Sequence, residues 1–157
     1  MGAITFAIRT GLGPRATYEH ALKLAQARKV PDSLLKALRL AATQKPLDYL
    51  RLQGWVIIAF QNAFCQLLHA ISSEEGIIQA VREGGDTDTN GAIAGALLGA
   101  VHSRESIPRQ WSASILPCRP IGALCGAARP RPARYWPVDI LVLAERLLLT
   151  GFSATTP

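Results

Sequence analysis

The chain has 157 residues, of which 49% are hydrophobic and 18% are charged, too apolar for a disordered tail and too polar for a membrane bundle. Its 17 Lys and Arg residues outnumber its 11 Asp and Glu residues, and the resulting charge of +6 is compatible with phosphates, acidic proteins or nucleic acid as partners. The three cysteines show no paired spacing of a secreted framework or a zinc site, so we expect a cytoplasmic protein.

Periodic apolar residues and helix-boundary signals predict an all-α fold. The segment from Met1 to Arg9 resembles the last turns of a helix, ended by Gly11. Further helices are expected over residues 14–28, from 31 onward, over 50–70, from 72 to the glycines at 84, over 87–102, from 106 toward 115 and from 137 onward. No stretch shows the alternation typical of a strand.

We divide the chain into a helical domain and three further segments. The domain covers residues 1–116; a strap rich in proline and arginine follows over 117–136, then a terminal helix over 137–150 that packs on the same domain, and a polar tail over 151–157. No signal peptide is recognised. The apolar runs are shorter than the ~20 residues of a spanning helix, so no membrane partner is expected.

The polar turn between two predicted helices is the segment most suited to chemistry. Asp86, Asp88 and Thr89 place three oxygen-bearing side chains beside Gly84 and Gly85. Oxygen ligands of this kind suit Mg²⁺, Mn²⁺ or Ca²⁺ better than zinc. The double glycine allows the backbone to approach a ligand closely.

Structural explanations of the same residues stay open. Asp86 as a helix N-cap and Asp88 as a complement to the helix dipole would explain both carboxylates without a metal. The pattern beginning at Asp86 also matches the first half of a calcium-binding loop, but Leu97 stands where that loop needs a bidentate glutamate. Close helix packing explains three glycines that recur every four residues, namely Gly91, Gly95 and Gly99.

Several motifs together resemble a known family. The segment GGDTDTNGAIAGALLGAVHSRESIP, which begins at Gly84, is followed by Gln110-Trp111 and preceded by Gly54-Trp55, Asn62-Ala63-Phe64 and a Ser73-Glu74-Glu75-Gly76 helix start. They resemble the C-terminal half of the ADP-ribosylglycohydrolases, a family that includes the dinitrogenase-reductase-activating glycohydrolases. The resemblance covers roughly residues 3–115 and is strongest from 54 to 111.

The resemblance implies an all-α domain that holds two Mg²⁺ or Mn²⁺ ions and hydrolyses the glycosidic bond between ADP-ribose and a protein side chain or small acceptor. It implies that Asp86, Asp88 and Thr89 are metal ligands, with the two aspartates as the catalytic pair. It places Gly84, Gly85 and Trp55 at the substrate, Trp55 stacking on the adenine or the adjacent ribose. A core position explains Trp55 equally well.

The chain departs from the family pattern in one important respect. The Thr/Ser-Asp-Asp motif and the early glycine- and acid-containing loop that supply the other half of the metal site are not found in the sequence. We therefore expect only a half-site, impaired hydrolysis, a chain that begins inside a family helix, and self-association through apolar surface exposed by truncation. Two alternatives are a non-catalytic remnant and a basic phosphate- or nucleic-acid-binding module, although no nucleic-acid-binding signature is recognised.

Overall fold

The computed structural model describes residues 1–122 and 129–153, with side chains up to Gly151, and confirms the all-α fold. Within these residues there are α-helices and short 3₁₀ turns but no strand. The chain divides into two compact units, Met1–Ile107 and Pro108–Pro157, which are described separately below. That the terminal helix packs on the same domain as residues 1–116 stays a prediction.

The first three helices follow the predicted boundaries. Helix α1 (Gly2–Thr10) ends at Gly11, whose φ of 65° is in the left-handed region that favours glycine. Helix α2 (Pro14–Ala27) has its proline in the first turn, where the missing N–H costs no hydrogen bond. Helix α3 (Asp32–Leu40) follows Pro31.

The fourth helix begins later than predicted. Helix α4 spans Val56–His69, whereas the apolar spacing predicts a start near Leu50. Residues 50–54 form turns, because Asp48 and Gly54 have φ values of 60° and 78°, which a continuous α-helix does not tolerate. Leu50 is 70% exposed, so its place in the apolar pattern does not reflect burial.

Helices α5 (Ser73–Arg82) and α6 (Thr87–His102) form a closely packed pair. The Ser72 hydroxyl accepts a hydrogen bond from the Glu75 N–H at 3.1 Å, which makes Ser72 the N-cap of α5 and agrees with a helix predicted from residue 72. The Glu75 carboxylate accepts from the N–H of Ile71, one residue earlier than a capping box requires.

The glycines of α6 confirm close packing for two of the three positions. A Cβ on Gly91 would lie 3.1 Å from Val81, and one on Gly95 would lie 3.4 Å from Ile77, both on α5. A Cβ on Gly99 would meet nothing within 4 Å. The close approach of α5 and α6 therefore depends on the first two glycines.

Helices α4 and α6 supply much of the core of the first unit. The core includes Leu38, Leu67 and Leu98, each at most 1% exposed, together with Phe64 and Cys65. Burial raises the pKa of the Cys65 thiol, and the Glu83 carboxylate adds a smaller effect in the same direction.

Cysteine labelling should distinguish the buried thiol from an exposed one. Because thiolate is the reactive form, we expect iodoacetamide at about pH 8 to modify Cys65 at least ~10-fold more slowly than Cys118, which is exposed. Peptide mass mapping of the native chain measures both rates, and labelling in urea gives the control. Equal native rates would contradict the buried position of Cys65.

The second unit contains α7 (Arg109–Ile115) and α8 (Ile140–Ser153). Residues 117–136 include a 3₁₀ turn at Ala133–Tyr135, and part of the predicted strap, 123–128, lies outside the described residues. Pro137–Asp139 is a 3₁₀ turn that leads into α8, and α8 continues three residues beyond the predicted limit at 150. The rest of the predicted tail, 154–157, also lies outside the described residues. No helix among the described residues has the length and apolarity to cross a membrane.

Candidate metal site

A sharp turn joins α5 to α6 and presents the predicted metal-binding residues. Gly84 and Gly85 have φ values of 79° and 70°, a conformation that side-chain-bearing residues rarely adopt. The Gly85 carbonyl accepts the Thr87 N–H at 3.0 Å, and Asp86 stands immediately before α6. The double glycine thus places Asp86, Thr87 and Asp88 at the start of the helix.

The segment between α3 and α4 holds this turn in place. Gly85 packs directly on the backbone of Tyr49, since a Cβ at Gly85 would overlap the Tyr49 carbonyl oxygen. The Lys45 ammonium donates to both carboxylate oxygens of Glu83, at 2.8 and 3.0 Å. Glu83 is only 19% exposed, so this ion pair is better shielded from solvent than an ordinary surface pair.

A buried polar network lies beneath the turn. The Tyr49 hydroxyl donates to Asn62 Oδ1 at 2.9 Å, and Gln66 Nε2 donates to the same oxygen at 3.3 Å. Asn62 is fully buried, and its Nδ2 has no partner among the described residues. Burial, with a smaller effect of Glu83, raises the pKa of Tyr49 well above its ordinary value.

The raised pKa of Tyr49 predicts a loss of stability in alkali. The unfolded chain loses its phenolic proton near the ordinary pKa of 10.0, before the folded chain does, so this stabilisation is complete below that value and declines as pH rises above it. We expect the free energy of unfolding to fall less between about pH 9 and about pH 11 in Tyr49→Phe than in wild type. Urea denaturation measures the difference, and Tyr135→Phe, at an exposed tyrosine, is the control. Parallel curves for wild type and Tyr49→Phe would exclude Tyr49 as the cause.

The two aspartates lie side by side at the start of α6. Asp86 occupies the N-cap position, but its carboxylate makes no capping hydrogen bond, so the capping explanation fails for this side chain. A hydrogen bond with the Asp86 carboxyl, and then the backbone N–H groups of Thr89 and of Asp88 itself, lower the pKa of Asp88. The Asp88 carboxylate accepts the Thr89 N–H at 3.0 Å, so the start of the helix itself stabilises this charge, as the helix-dipole explanation of Asp88 requires.

The donor set fits part of a site for a hard cation. Two carboxylates and the Thr89 hydroxyl supply oxygen ligands on one helical turn, where Asp88 and Thr89 are exposed. Among residues 1–122 and 129–153, however, no group of three or more His, Cys, Asp or Glu side chains is placed to hold a metal ion. A six-coordinate ion would therefore have to take most of its ligands from water or from another source.

Trp55 lies at the start of α4, on the same connecting segment that holds the turn. Its side chain is 48% exposed, and the residue precedes the helix that was expected to bury it. Trp55 lines a cavity of about 370 Å³ together with Lys36, Lys45 and Asp48. A half-exposed indole at a cavity wall fits a stacking position better than a core position.

Sequence reasoning missed the residues that hold the turn. Lys45 and Glu83 are 38 residues apart, and Tyr49 lies in a segment predicted in part to be helical. No local spacing indicates either contact. His102 is in the last turn of α6, about 21 Å along the helix from Asp88, and its Nε2 is buried with no partner among the described residues.

A family model for ADP-ribosylglycohydrolases matches residues 1–149, nearly the whole chain. The chain belongs to the ADP-ribosylglycohydrolase family. The predicted family resemblance is thereby confirmed.

Two relatives carry the family name. One, from Acanthamoeba polyphaga mimivirus, is described by its name as an ADP-ribosyl glycohydrolase and is 51% identical over 43 residues, which are 27% of this chain. The other, the ADP-ribosyl-[dinitrogen reductase] glycohydrolase of Rhodospirillum rubrum, is 51% identical over 35 residues, or 22% of this chain. The aligned parts span only 13% and 12% of these two relatives. No solved structure matches the chain.

Proposed function

We propose that this chain carries the C-terminal metal-binding part of an enzyme that hydrolyses ADP-ribosyl glycosidic bonds. The observation that carries the proposal is the pair of adjacent carboxylates, Asp86 and Asp88, on a turn built from two left-handed glycines. Asp86 has no capping bond that would explain it structurally. Family membership supports the reaction class.

Asp86, Asp88 and Thr89 would hold Mg²⁺ or Mn²⁺. A divalent ion, when bound, supplies positive charge that can orient the ribose hydroxyls and a water molecule and stabilise the departing acceptor. Gly84 and Gly85 would contact the ribose through backbone atoms on the side of the turn away from Leu50 and Tyr49, which occupy the positions where their side chains would stand. Trp55 would stack on the nucleotide at the wall of the neighbouring cavity.

The substrate class is an ADP-ribosylated protein or a small molecule that contains ADP-ribose. The name of the Rhodospirillum rubrum relative points to a protein substrate for that enzyme. The proposal leaves open whether the ADP-ribose is linked to arginine, serine, a nucleobase or a small molecule. The free thiols of Cys65 and Cys118 are compatible with a cytoplasmic setting.

Three oxygen-bearing side chains are too few for a tight binuclear site. Mg²⁺ prefers about six oxygen ligands and releases its water reluctantly. We therefore infer that the chain alone binds metal weakly, with a Kd of about 0.1–1 mM, and hydrolyses little or no substrate.

A Mn²⁺ titration followed by electron paramagnetic resonance tests the metal site. We expect weak, saturable binding by the wild-type chain. Binding by Asp86→Asn and by Asp88→Asn should be at least fivefold weaker, because each substitution replaces a charged metal ligand with a neutral one. Asp32→Asn is the matched control, because Asp32 also lies in the first turn of a helix. If Asp32→Asn weakens binding as much as the site variants, general charge attraction explains the signal. Micromolar binding by the wild-type chain would contradict the inferred half-site.

An assay of ADP-ribose release tests the reaction. The chain is co-expressed with the N-terminal segment of a family member that bears the acidic motif, and release is compared with that from either part alone. Release that requires both parts and is lost with Asp88→Asn supports the proposal. Metal binding without release under any condition would instead identify a non-catalytic remnant.

A further inference from the structure

A large apolar cavity lies inside the first unit. Helices α1, α2, α3, α4 and α6 all contribute to its walls, and its volume is about 320 Å³. Leu38, Ala63 and Leu97 line it and are at most 4% exposed, so the cavity reaches into the hydrophobic core and is not the exposed face of one helix. Protein interiors are packed so closely that few voids are larger than a water molecule. A cavity of this size therefore indicates space for a ligand.

The chemistry of this cavity favours a hydrocarbon. Among the described residues that line it, Arg28 is the one charged side chain, and the others are aliphatic, aromatic or glycine. A buried water molecule needs two to four polar partners, which these walls do not provide. An engineered apolar cavity of about 150 Å³ stays dry and binds benzene. We therefore expect the apolar part of a ligand in this cavity.

A second cavity, of about 580 Å³, adjoins the first and is lined by α1, α2 and Arg28, the residue that ends α2. The two cavities share Gly2, Leu24 and Arg28 among their lining residues. Arg9 and His20 also line the second cavity, and no Asp or Glu side chain of the described residues lines either one. A ligand that extends through both cavities would therefore have an apolar part and an anionic part.

The basic side chains of the second cavity are available to an anion. Within the part of the chain that the structure describes, neither Arg9 nor Arg28 forms an ion pair. Glu19, the acidic neighbour of His20 in sequence, is paired instead with Arg15, at 2.9 Å. Because guanidinium groups form strong, charge-assisted hydrogen bonds with carboxylates, these two arginines suit a carboxylate head group.

Size and charge together identify the class of ligand. At ~30 Å³ for a group the size of a water molecule, the apolar cavity holds roughly ten methylene groups. A second copy of the chain would bring the same arginines and a charge of +6 to the site, which opposes its binding there. A fatty acid brings an alkyl chain and a negative charge.

We propose that the two cavities bind a medium-chain fatty acid. The alkyl chain occupies the apolar cavity, and the carboxylate accepts hydrogen bonds from the guanidinium groups of Arg9 and Arg28 in the second cavity. Neither cavity is lined by the residues proposed to bind metal, namely Asp86, Asp88 and Thr89. The site is therefore independent of the proposed reaction.

Isothermal titration calorimetry of the full chain with decanoate tests the proposal. Decanol and decylamine have the same alkyl chain without the negative charge and serve as controls. We expect saturable binding of about one decanoate per chain, and at least ~10-fold weaker binding of decanol and of decylamine, because neither can accept charge-assisted hydrogen bonds from arginine. Equal affinity for the three compounds, or no saturable binding of decanoate, would overturn the proposal.

A substitution that fills the apolar cavity tests the position of the alkyl chain. Ala25 lines this cavity, and we expect Ala25→Phe to weaken the binding of both decanoate and decanol at least fivefold. Ala27→Phe, at an exposed residue of the same helix, is the matched control and should change neither affinity. Circular dichroism checks that both variants are folded. If Ala25→Phe instead abolishes a dimer detected by light scattering in a chain that binds no decanoate, a second copy occupies the cavity and the proposal is wrong.

Paired arginine variants test the position of the carboxylate. Arg9→Gln with Arg28→Gln should weaken decanoate binding at least fivefold and leave decanol binding unchanged, because only decanoate carries a charge. Arg39→Gln with Arg82→Gln removes the same charge at two exposed residues that line neither cavity. Equal effects of the two pairs on decanoate binding would show that general charge attraction, and not this site, holds the carboxylate.

Discussion

Replacing Gly85 with alanine is expected to lower the free energy of unfolding by about 3 kcal/mol or more and to abolish Mn²⁺ binding. Two effects combine at this position. The φ of 70° is strained for any residue with a Cβ, and the new methyl group would overlap the carbonyl of Tyr49. Because the obstacle is backbone, no side-chain rotation can relieve it.

Two other glycines provide graded controls for this result. Gly84 has a similar φ of 79°, but a Cβ there would meet only a Leu50 methyl group at 3.0 Å. We therefore expect Gly84→Ala to lower the free energy of unfolding by about 1–2 kcal/mol. Gly99→Ala places a methyl in open space on α6 and should stabilise the helix by up to about 1 kcal/mol. Urea denaturation and the Mn²⁺ titration measure all three. A Gly85→Ala chain as stable as wild type would show that the turn does not pack on Tyr49.

Leu98→Ala is expected to destabilise the chain by about 3–4 kcal/mol. Leu98 is fully buried on α6, and its Cδ1 lies where a Cβ on Gly76 of α5 would project, at 2.6 Å. Removal of the side chain leaves a cavity between the two helices that a tightly packed pair cannot close. Leu47→Ala, at a residue 73% exposed, should change stability by less than about 0.5 kcal/mol.

A double-mutant cycle checks the specific contact between α5 and α6. Gly76→Ala alone should destabilise, because the new methyl group meets Leu98. In the chain that carries both Gly76→Ala and Leu98→Ala, the new methyl group occupies part of the cavity. The loss of unfolding free energy in this double variant should therefore be smaller than the sum of the losses in the two single variants, by about 0.5–3 kcal/mol. Strict additivity in urea denaturation would contradict the direct contact.

The sequence predicts most helices because their signals are local. Gly11, Pro14 and Ser72 act through the backbone within one turn, and the corresponding boundaries are confirmed. The start of α4 is predicted wrongly because apolar spacing continues through Leu52, while the conformation of Asp48 and Gly54 interrupts the helix. A pattern of hydrophobicity does not report backbone dihedral angles.

The candidate site is predictable only as a set of residue types. Asp86, Asp88 and Thr89 are recognised because they are adjacent in sequence, and that they bind metal stays a prediction. Their surroundings are not recognised, because Lys45, Tyr49 and Glu83 meet only through the tertiary fold. The exposed position of Trp55 likewise follows from where α4 begins.

The contacts between residues 45–49 and the double-glycine turn limit what can be transplanted. A peptide of residues 72–102 would contain every side chain proposed to bind metal, but neither the ammonium that pairs with Glu83 nor the carbonyl on which Gly85 rests. Such a hairpin would lose the shape of its connection even if both helices formed. A grafted version of the motif therefore needs the α3–α4 connection as its scaffold.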